Sequence, residues 1–165
     1  MAKITLGGNP IETIGDLPRI GEQAKDFKLT KQDLSILTLA DLKGKKVVLN
    51  IFPSVDTGTC AMSTRKFNAE ASNYPNAQVV CVSRDLPFAF KRFCGSEGIE
   101  NLITASDFNT GQFGKDYNLE MKSGGLSGLH SRVIIVLDES GKIIYTEQVP
   151  EIVDEPNYDA ALAVL

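Results

Sequence analysis

Three runs of apolar residues mark the predicted core of the chain. Residues 46–52, 77–82 and 133–137 are apolar almost without interruption. Continuous runs of this length are typical of strands that are covered on both faces of a sheet. The pattern therefore predicts three central strands with helices packed above and below them.

The first two of these strands are separated by residues with helical spacing. Cys60, Phe67 and Ala71 fall on one stripe of a helix that we predict from about residue 59 to residue 74. Pro75 is expected to stop this helix, because proline cannot continue the hydrogen-bonded ladder. A polar loop over residues 53–59 leads into it, so the chain passes there from a buried strand directly to a helix start.

A second predicted helix follows the strand at 77–82. Asp85 can cap its first turn, and Pro87 fits there because the first helical residues need no N–H partner. Gly95 is expected to end this helix, since glycine is the common residue just beyond a helix C-terminus.

Shorter elements complete the predicted order. They are a hairpin with strands at 3–6 and 11–14, a second hairpin over 27–37, a helical turn at 38–42, a strand at 102–105, a helix at 109–117, a strand at 142–149 paired with 133–137, and a helix at 154–165. A strand–helix–strand unit followed by an antiparallel hairpin and a final helix is the thioredoxin-like layout. We therefore predict one α/β domain over residues 1–165, with a mixed central sheet flanked by helices and an added N-terminal hairpin over about 1–15.

Charge and hydropathy narrow the classes of function. The net charge of −4 gives no field that would attract nucleic acid or an anionic membrane, so neither is expected as a partner. No apolar run approaches the about 18 residues of a membrane span, and the first residues lack the apolar core of a secretory signal. The expected location is the cytoplasm.

The cysteines and the single histidine limit the metal and cofactor chemistry. Cys60, Cys81 and Cys94 form no C-x₂-C pair, and His130 lies far from them in sequence. The glycine-rich segment 124–128 has neither dinucleotide nor P-loop spacing. We therefore expect no metal and no cofactor.

The position of each cysteine predicts its reactivity. A helix N-terminus favours an anion, so Cys60, in the first turn of its helix, is the candidate nucleophile. Arg132 begins a strand that should run antiparallel beside residues 46–52, which brings its guanidinium within reach of Cys60. Cys94 lies at a helix C-terminus, where unpaired carbonyls disfavour a thiolate, and Cys81 lies inside an apolar strand as core packing.

The residues around Cys60 carry a family resemblance. Pro53, Thr57 and Cys60 match the pattern P-x-x-x-T-x-x-C of the peroxiredoxins, and Arg132 stands where that family keeps an arginine. The N-terminal hairpin and Cys94 resemble the bacterial thiol peroxidase branch, the atypical two-cysteine peroxiredoxins. The resemblance extends over essentially the whole chain.

This resemblance implies a complete reaction cycle. Cys60 would attack hydrogen peroxide or an organic hydroperoxide and become a sulfenic acid, with Pro53, Thr57 and Arg132 holding the peroxide. Cys94 would resolve the sulfenic acid as an intramolecular Cys60–Cys94 disulfide, which thioredoxin would reduce. The resemblance also implies a homodimer and a role in antioxidant defence.

Two other functions remain open from the sequence. A thiol redox sensor or relay would form the same disulfide and pass it to a partner protein. A non-catalytic thioredoxin-like interaction domain would contain a Cys60 that reacts no faster than a free thiol. Among the remaining polar residues, His130 is predicted to be an ordinary loop residue, and Asp107 and Glu97 are predicted to lie on the solvated surface.

Overall fold

The computed structural model describes residues 1–165 and contains a seven-stranded mixed sheet beside a small two-stranded one. The strands are β1 Lys3–Leu6, β2 Asn9–Glu12, β3 Lys28–Lys31, β4 Ile36–Thr38, β5 Lys46–Ile51, β6 Ala77–Ser83, β7 Ile103–Ser106, β8 Val133–Leu137 and β9 Ile143–Gln148. The helices are α1 Gly58–Ala71, α2 Pro87–Glu97, α3 Gln112–Asp116 and α4 Tyr158–Leu162, with a 3₁₀ turn at Leu39–Leu42. No helix has the length and apolarity that a membrane crossing requires.

The three predicted core strands lie side by side at the centre of the large sheet, whose order is β4-β3-β7-β6-β5-β8-β9. Strand β5 pairs parallel with β6 and antiparallel with β8, and Ile51 lies opposite Val133 at the end where Cys60 follows. The expected antiparallel pairing is therefore confirmed, and it brings the start of β8 to the end of β5.

Alternate side chains of β5 enter two separate apolar clusters, one on each face of the sheet. Val47, Leu49 and Ile51 belong to the face covered by α3 and the 3₁₀ turn, whereas Val48 and Phe52 belong to the face covered by α1, α2 and α4. Each fully buried side chain of this kind stabilises the fold by roughly 1.5–3 kcal/mol. The predicted mixed α/β sheet with helices on both faces is confirmed, and Cys60 lies on the second face.

The N-terminal hairpin is present, but its turn is tighter than the sequence predicts. Gly7 and Gly8 alone connect the strands, with φ values of +58° and +83°, and Leu6 pairs with Asn9. Left-handed backbone of this kind favours glycine, which allows a two-residue turn. The second strand therefore occupies Asn9–Glu12 rather than residues 11–14.

Several predicted helix limits are wrong at their ends. Helix α2 continues through Gly95 to Glu97 and ends at Gly98, which has the left-handed φ of +65° that closes a helix. Asp85 does not cap α2, because Leu86 occupies the N-cap position and makes no side-chain cap. The helices predicted at 59–74, 109–117 and 154–165 are all shorter, because turns, bends and irregular backbone replace their outer residues.

Candidate active site

The path from β5 into α1 places Cys60 at the start of a helix. Thr57 is the N-cap residue with extended backbone, so Cys60 is the third residue of α1 and lies within its first turn. The side chain of Thr57 caps none of the first amide groups, which leaves them and the helix dipole to stabilise negative charge near this end. Cys60 is fully buried.

Arg132 contacts this cysteine directly. Its Nη2 lies 3.3 Å from Cys60 Sγ, and its Nε donates a hydrogen bond to the carbonyl of Ile152 at 2.8 Å. Arg132 is only 1% exposed, and its Nη1 donates to no protein atom. The expectation that the guanidinium reaches Cys60 is confirmed. Burial also makes this contact electrostatically stronger than an exposed one.

The loop between β5 and α1 is held by Asp85, a residue whose part in the site the sequence did not reveal. The Asp85 carboxylate accepts hydrogen bonds from Ser54 Oγ at 2.7 Å, from the Val55 amide at 2.8 Å and from Ser83 Oγ. Asp85 thereby fixes the loop that precedes Cys60. The only sequence signal for this role is an aspartate just beyond the end of β6, and an aspartate there is equally consistent with a helix cap.

Pro53 and Thr57 lie in the same loop. Pro53 is buried, whereas Thr57 is exposed and its hydroxyl donates to the Ser54 carbonyl at 3.1 Å. The structure thus brings Pro53, Thr57, Cys60 and Arg132 to one end of the sheet. Their individual roles in a reaction stay predictions.

Cys94 belongs to the same apolar cluster as Cys60 but lies on a different helix. It is in the last turn of α2, 6% exposed, and its carbonyl accepts from the amides of Gly98 and Ile99. Burial raises the pKa of its thiol, and hydrogen bonding from Thr104 and Gln32 offsets this only in part. No disulfide joins any two of the three cysteines in this structure.

Comparison with known proteins places the chain in a family. Residues 19–162 match the family described as Redoxin. Over 165 residues the chain is 52% identical to the thiol peroxidase of Mycobacterium tuberculosis and 49% identical to that of Corynebacterium glutamicum, with 100% of the chain and 99% of each relative covered. The chain belongs to the thiol peroxidases of the peroxiredoxin family. It is therefore an oxidoreductase of the peroxidase class.

The fold of the enzyme agrees with this assignment. A crystal structure of a peroxiredoxin-like protein from Aquifex aeolicus matches it with a TM-score of 0.93 at 35% sequence identity, covering 98% of this chain and 94% of that one. The thioredoxin-like α/β fold predicted from the order of elements is confirmed.

Cys81 has the structural place that its sequence context predicts. It is completely buried within the same apolar cluster as Cys60 and Cys94, and burial raises the pKa of its thiol to about 12. The side-chain amide of Asn50 approaches its sulfur at 3.5 Å. A thiol in this setting stays protonated and acts as core packing in the enzyme.

His130 and Asp107 form a buried pair, which corrects two predictions. His130 Nε2 lies 3.1 Å from Asp107 Oδ2, and both side chains are almost inaccessible. Asp107 also accepts from the amides of Phe113 and Gly114, so it joins α3 to the segment before β8. No local pattern in the sequence signals a pair of residues that are separated so widely along the chain.

The large apolar side chains near the candidate site differ in exposure. Phe52 and Phe90 are fully buried and pack edge to face at 6.4 Å between ring centroids. Leu86 and Phe88, by contrast, are 52% and 63% exposed. Leu86 and Phe88 therefore offer exposed apolar surface near the enzyme's candidate site, as do Met62 of α1 and Val153.

Proposed function

We propose that this enzyme reduces hydrogen peroxide and organic hydroperoxides through Cys60. The observation that carries the proposal is the 3.3 Å contact between Arg132 Nη2 and Cys60 Sγ at the N-terminus of α1. A guanidinium and a helix N-terminus both favour the thiolate, which is the nucleophilic form of cysteine. Neither the buried Cys81 nor Cys94 has a comparable cation at its sulfur.

The proposed first step is a nucleophilic displacement on oxygen. The Cys60 thiolate attacks one peroxide oxygen, the S–O bond forms as the O–O bond breaks, and the leaving oxygen takes the electron pair and a proton to become water or an alcohol. Sulfur is oxidised to the sulfenic acid while the peroxide is reduced by two electrons. Arg132 Nη1, which donates to no protein atom, is free to donate to the peroxide.

Pro53 and Thr57 complete the proposed peroxide site. Buried Pro53 has no N–H and forms an apolar wall that shields the reacting atoms from water. The Thr57 hydroxyl donates its proton to the Ser54 carbonyl and keeps its lone pairs to accept a hydrogen bond from the peroxide. Both residues precede Cys60 in the loop that Asp85 holds.

We propose that Cys94 then resolves the sulfenic acid. Its thiol displaces the hydroxyl group of the Cys60 sulfenic acid, which forms the Cys60–Cys94 disulfide and releases water. Because Cys94 is buried in the last turn of α2, this step requires that turn to unfold locally, and helix ends open at low free-energy cost. Thioredoxin, a dithiol, would return the two electrons and restore both thiols.

Peroxide consumption in the presence of thioredoxin, its reductase and NADPH tests the proposal. The wild-type chain should turn over, and Cys60→Ser should reduce the rate to that of the buffer. Cys94→Ser should react with one equivalent of peroxide but fail to recycle, whereas Cys81→Ser is the matched control with turnover close to wild type. Full activity of Cys60→Ser would sink the mechanism. Negligible turnover together with a mixed disulfide to another protein would favour the redox relay.

We also propose a cytoplasmic homodimer with no nucleic-acid or membrane partner. Three cysteines are too few, and odd in number, for a secreted disulfide scaffold, which suits a reducing compartment, and the acidic net charge of −4 disfavours anionic partners. The exposed apolar side chains of Leu86 and Phe88 beside the site suit burial against a second copy. Light scattering on the purified chain measures this directly, and a monomer at all concentrations would contradict it.

A further inference from the structure

The carbonyl groups of Ile152 and Val153 accept hydrogen bonds from two side chains next to the Cys60 thiol. The Ile152 carbonyl accepts from Arg132 Nε at 2.8 Å, and the Val153 carbonyl accepts from Thr59 Oγ1 at 2.8 Å. Thr59 immediately precedes Cys60. The short segment over residues 150–153 therefore positions both the arginine that contacts the thiol and the helix turn that carries it.

This segment lies beyond the regular strand and gains its order from the N-terminal hairpin. Strand β9 ends at Gln148, and its last ladder contact is the hydrogen bond from the Val149 amide to the Arg132 carbonyl. Beyond this point the segment pairs with Thr5 of β1. The Thr5 amide donates to the Pro150 carbonyl, and the Thr5 carbonyl accepts from the Ile152 amide, each at 2.8 Å.

The side chain of Glu151 links the turn of the N-terminal hairpin to residues 150–153. Its Oε2 accepts from Thr5 Oγ1 at 2.6 Å and from the Gly8 amide at 3.0 Å, and its Oε1 accepts from the Gly7 amide at 2.8 Å and from the Val153 amide at 3.3 Å. Hydrogen bonds to an ionised acceptor are stronger than neutral ones. They lower the pKa of Glu151 to about 2, so the carboxylate is ionised at every pH at which the enzyme would work.

The tight turn of the hairpin is what makes this contact possible. Gly7 and Gly8 both have positive φ, so their successive amides converge on one carboxylate, as in other backbone anion-binding nests. Beneath the turn, Ile152 packs with Ile4, Ile11 and Met121 in a small buried cluster. The hairpin and the segment that follows β9 thus form one unit, apolar inside and closed by Glu151 outside.

We propose that Glu151 is a positioning residue for Arg132. By clamping the hairpin turn onto residues 150–153, it fixes the Ile152 carbonyl against Nε of Arg132 and thereby directs the other edge of the guanidinium toward Cys60 Sγ. This rests on the proposed function, in which Arg132 assists a reaction at Cys60. The N-terminal hairpin is then part of the machinery that sets the reactivity of the thiol, although none of its residues contacts Cys60.

Misplacement of reacting groups by about 1 Å can cost roughly 100-fold in rate. Because Arg132 keeps its backbone place in the sheet when the clamp is lost, we expect a smaller effect for Glu151→Ala, about 10-fold in the rate constant for oxidation of Cys60. Glu151→Gln keeps one oxygen acceptor and should lie between wild type and Glu151→Ala. Thr5→Val removes one donor to the carboxylate at nearly constant volume and should reduce the rate by about twofold.

The experiment measures two properties of Cys60 in each full-length variant. The first is the rate constant with peroxide, by competition with a reporter peroxidase, since the chain contains no tryptophan to report the reaction. The second is the midpoint of the pH–rate profile for alkylation of Cys60 by iodoacetamide, located by mass spectrometry, which should move to higher pH in Glu151→Ala. Loss of stability alone would leave this midpoint in place. Asp154→Asn, which removes an exposed charge immediately after this segment, is the control and should match wild type.

A double-mutant cycle separates this role from a general structural one. If Glu151 acts through Arg132, Glu151→Ala should reduce the rate by less than twofold in an Arg132→Met background, although it reduces it about 10-fold alone. Equal effects in both backgrounds, or a wild-type rate and midpoint in Glu151→Ala, would overturn the proposal. If Glu151→Ala does not fold, Glu151→Gln and Thr5→Val decide by the same two readouts. Full activity of Cys60→Ser is a different outcome, because it would remove the proposed function itself.

Discussion

Cys60 and Cys94 are both buried in one apolar cluster, yet the structure gives them opposite chemical settings. Cys60 is at the start of α1 with the Arg132 guanidinium 3.3 Å from its sulfur. Cys94 is in the last turn of α2, where burial raises the pKa of its thiol and only neutral side chains offset the effect. Burial alone therefore does not define the environment of a thiol. The neighbouring charge and the helix end differ between the two sites.

The largest expected effect comes from removing the charge that distinguishes the two sites. Arg132→Met should reduce the rate constant of Cys60 with peroxide by about 100- to 1000-fold, since removal of one aligned donor in a buried site costs this much. Competition kinetics measure the rate, and thermal unfolding checks that the variant is folded. Arg19→Met, at an exposed arginine, is the matched control. A loss below threefold would mean that the helix N-terminus alone distinguishes Cys60 from Cys94.

A smaller effect is expected from loosening the helix that carries Cys94. Arg65 of α1 forms a two-point ion pair with Glu97, the last residue of α2, at 2.8 and 3.0 Å. Glu97→Gln should weaken this attachment and ease local unfolding, raising the rate of disulfide formation by about two- to fivefold, as expected for an exposed ion pair. Rapid quenching with a thiol-blocking reagent after one equivalent of peroxide measures that rate. Glu100→Gln should leave it unchanged, and a slower rate in Glu97→Gln would contradict the unfolding step.

The smallest effect at neutral pH concerns Cys81, which has neither a charge beside it nor a helix end. Its thiol has a pKa of about 12 when folded, against about 8.5 in an unfolded chain. Above pH 8.5 the unfolded chain loses a proton that the folded chain keeps, so stability falls as pH rises toward 12. The slope reaches at most about 1.4 kcal/mol per pH unit. Urea unfolding between pH 8 and 11 should show a shallower slope for Cys81→Ala than for wild type. Equal slopes would mean that Cys81 ionises freely in the folded chain.

The sequence alone predicts where Cys60 lies and which arginine contacts it. The apolar run of β5, the polar loop and the stripe of α1 follow one another, so the position of Cys60 is readable from a short stretch. Arg132 is 72 residues away, but β8 is as continuously apolar as β5, and antiparallel pairing aligned its start with Cys60. Continuous apolar strands can be placed in a sheet even when they are far apart in the chain.

Polar contacts between distant segments are what the sequence did not predict. Asp85 resembles a helix cap but binds the loop before Cys60, and the buried pair of Asp107 and His130 resembles surface and loop residues. Glu151 accepts from a turn at the other end of the chain. An acidic side chain has the same local pattern whether solvent or a buried amide satisfies it, so periodicity cannot separate these cases. The end of α2 was misplaced for a related reason, because Gly95 and Gly98 are equally good stops until one adopts positive φ.

The clamp at Glu151 also has a consequence for how the chain matures during synthesis. Thr5 and Glu151 are 146 residues apart, so the hairpin cannot bind Glu151 until nearly the whole chain has been synthesised. At roughly 5–20 residues per second, the helix that bears Cys60 is available several seconds before Arg132 and its supporting carbonyl arrive. In the proposed mechanism, a nascent chain would therefore carry its thiol before the arginine that activates it is in place. Full reactivity toward peroxide would then be acquired last, when the two ends of the polypeptide meet.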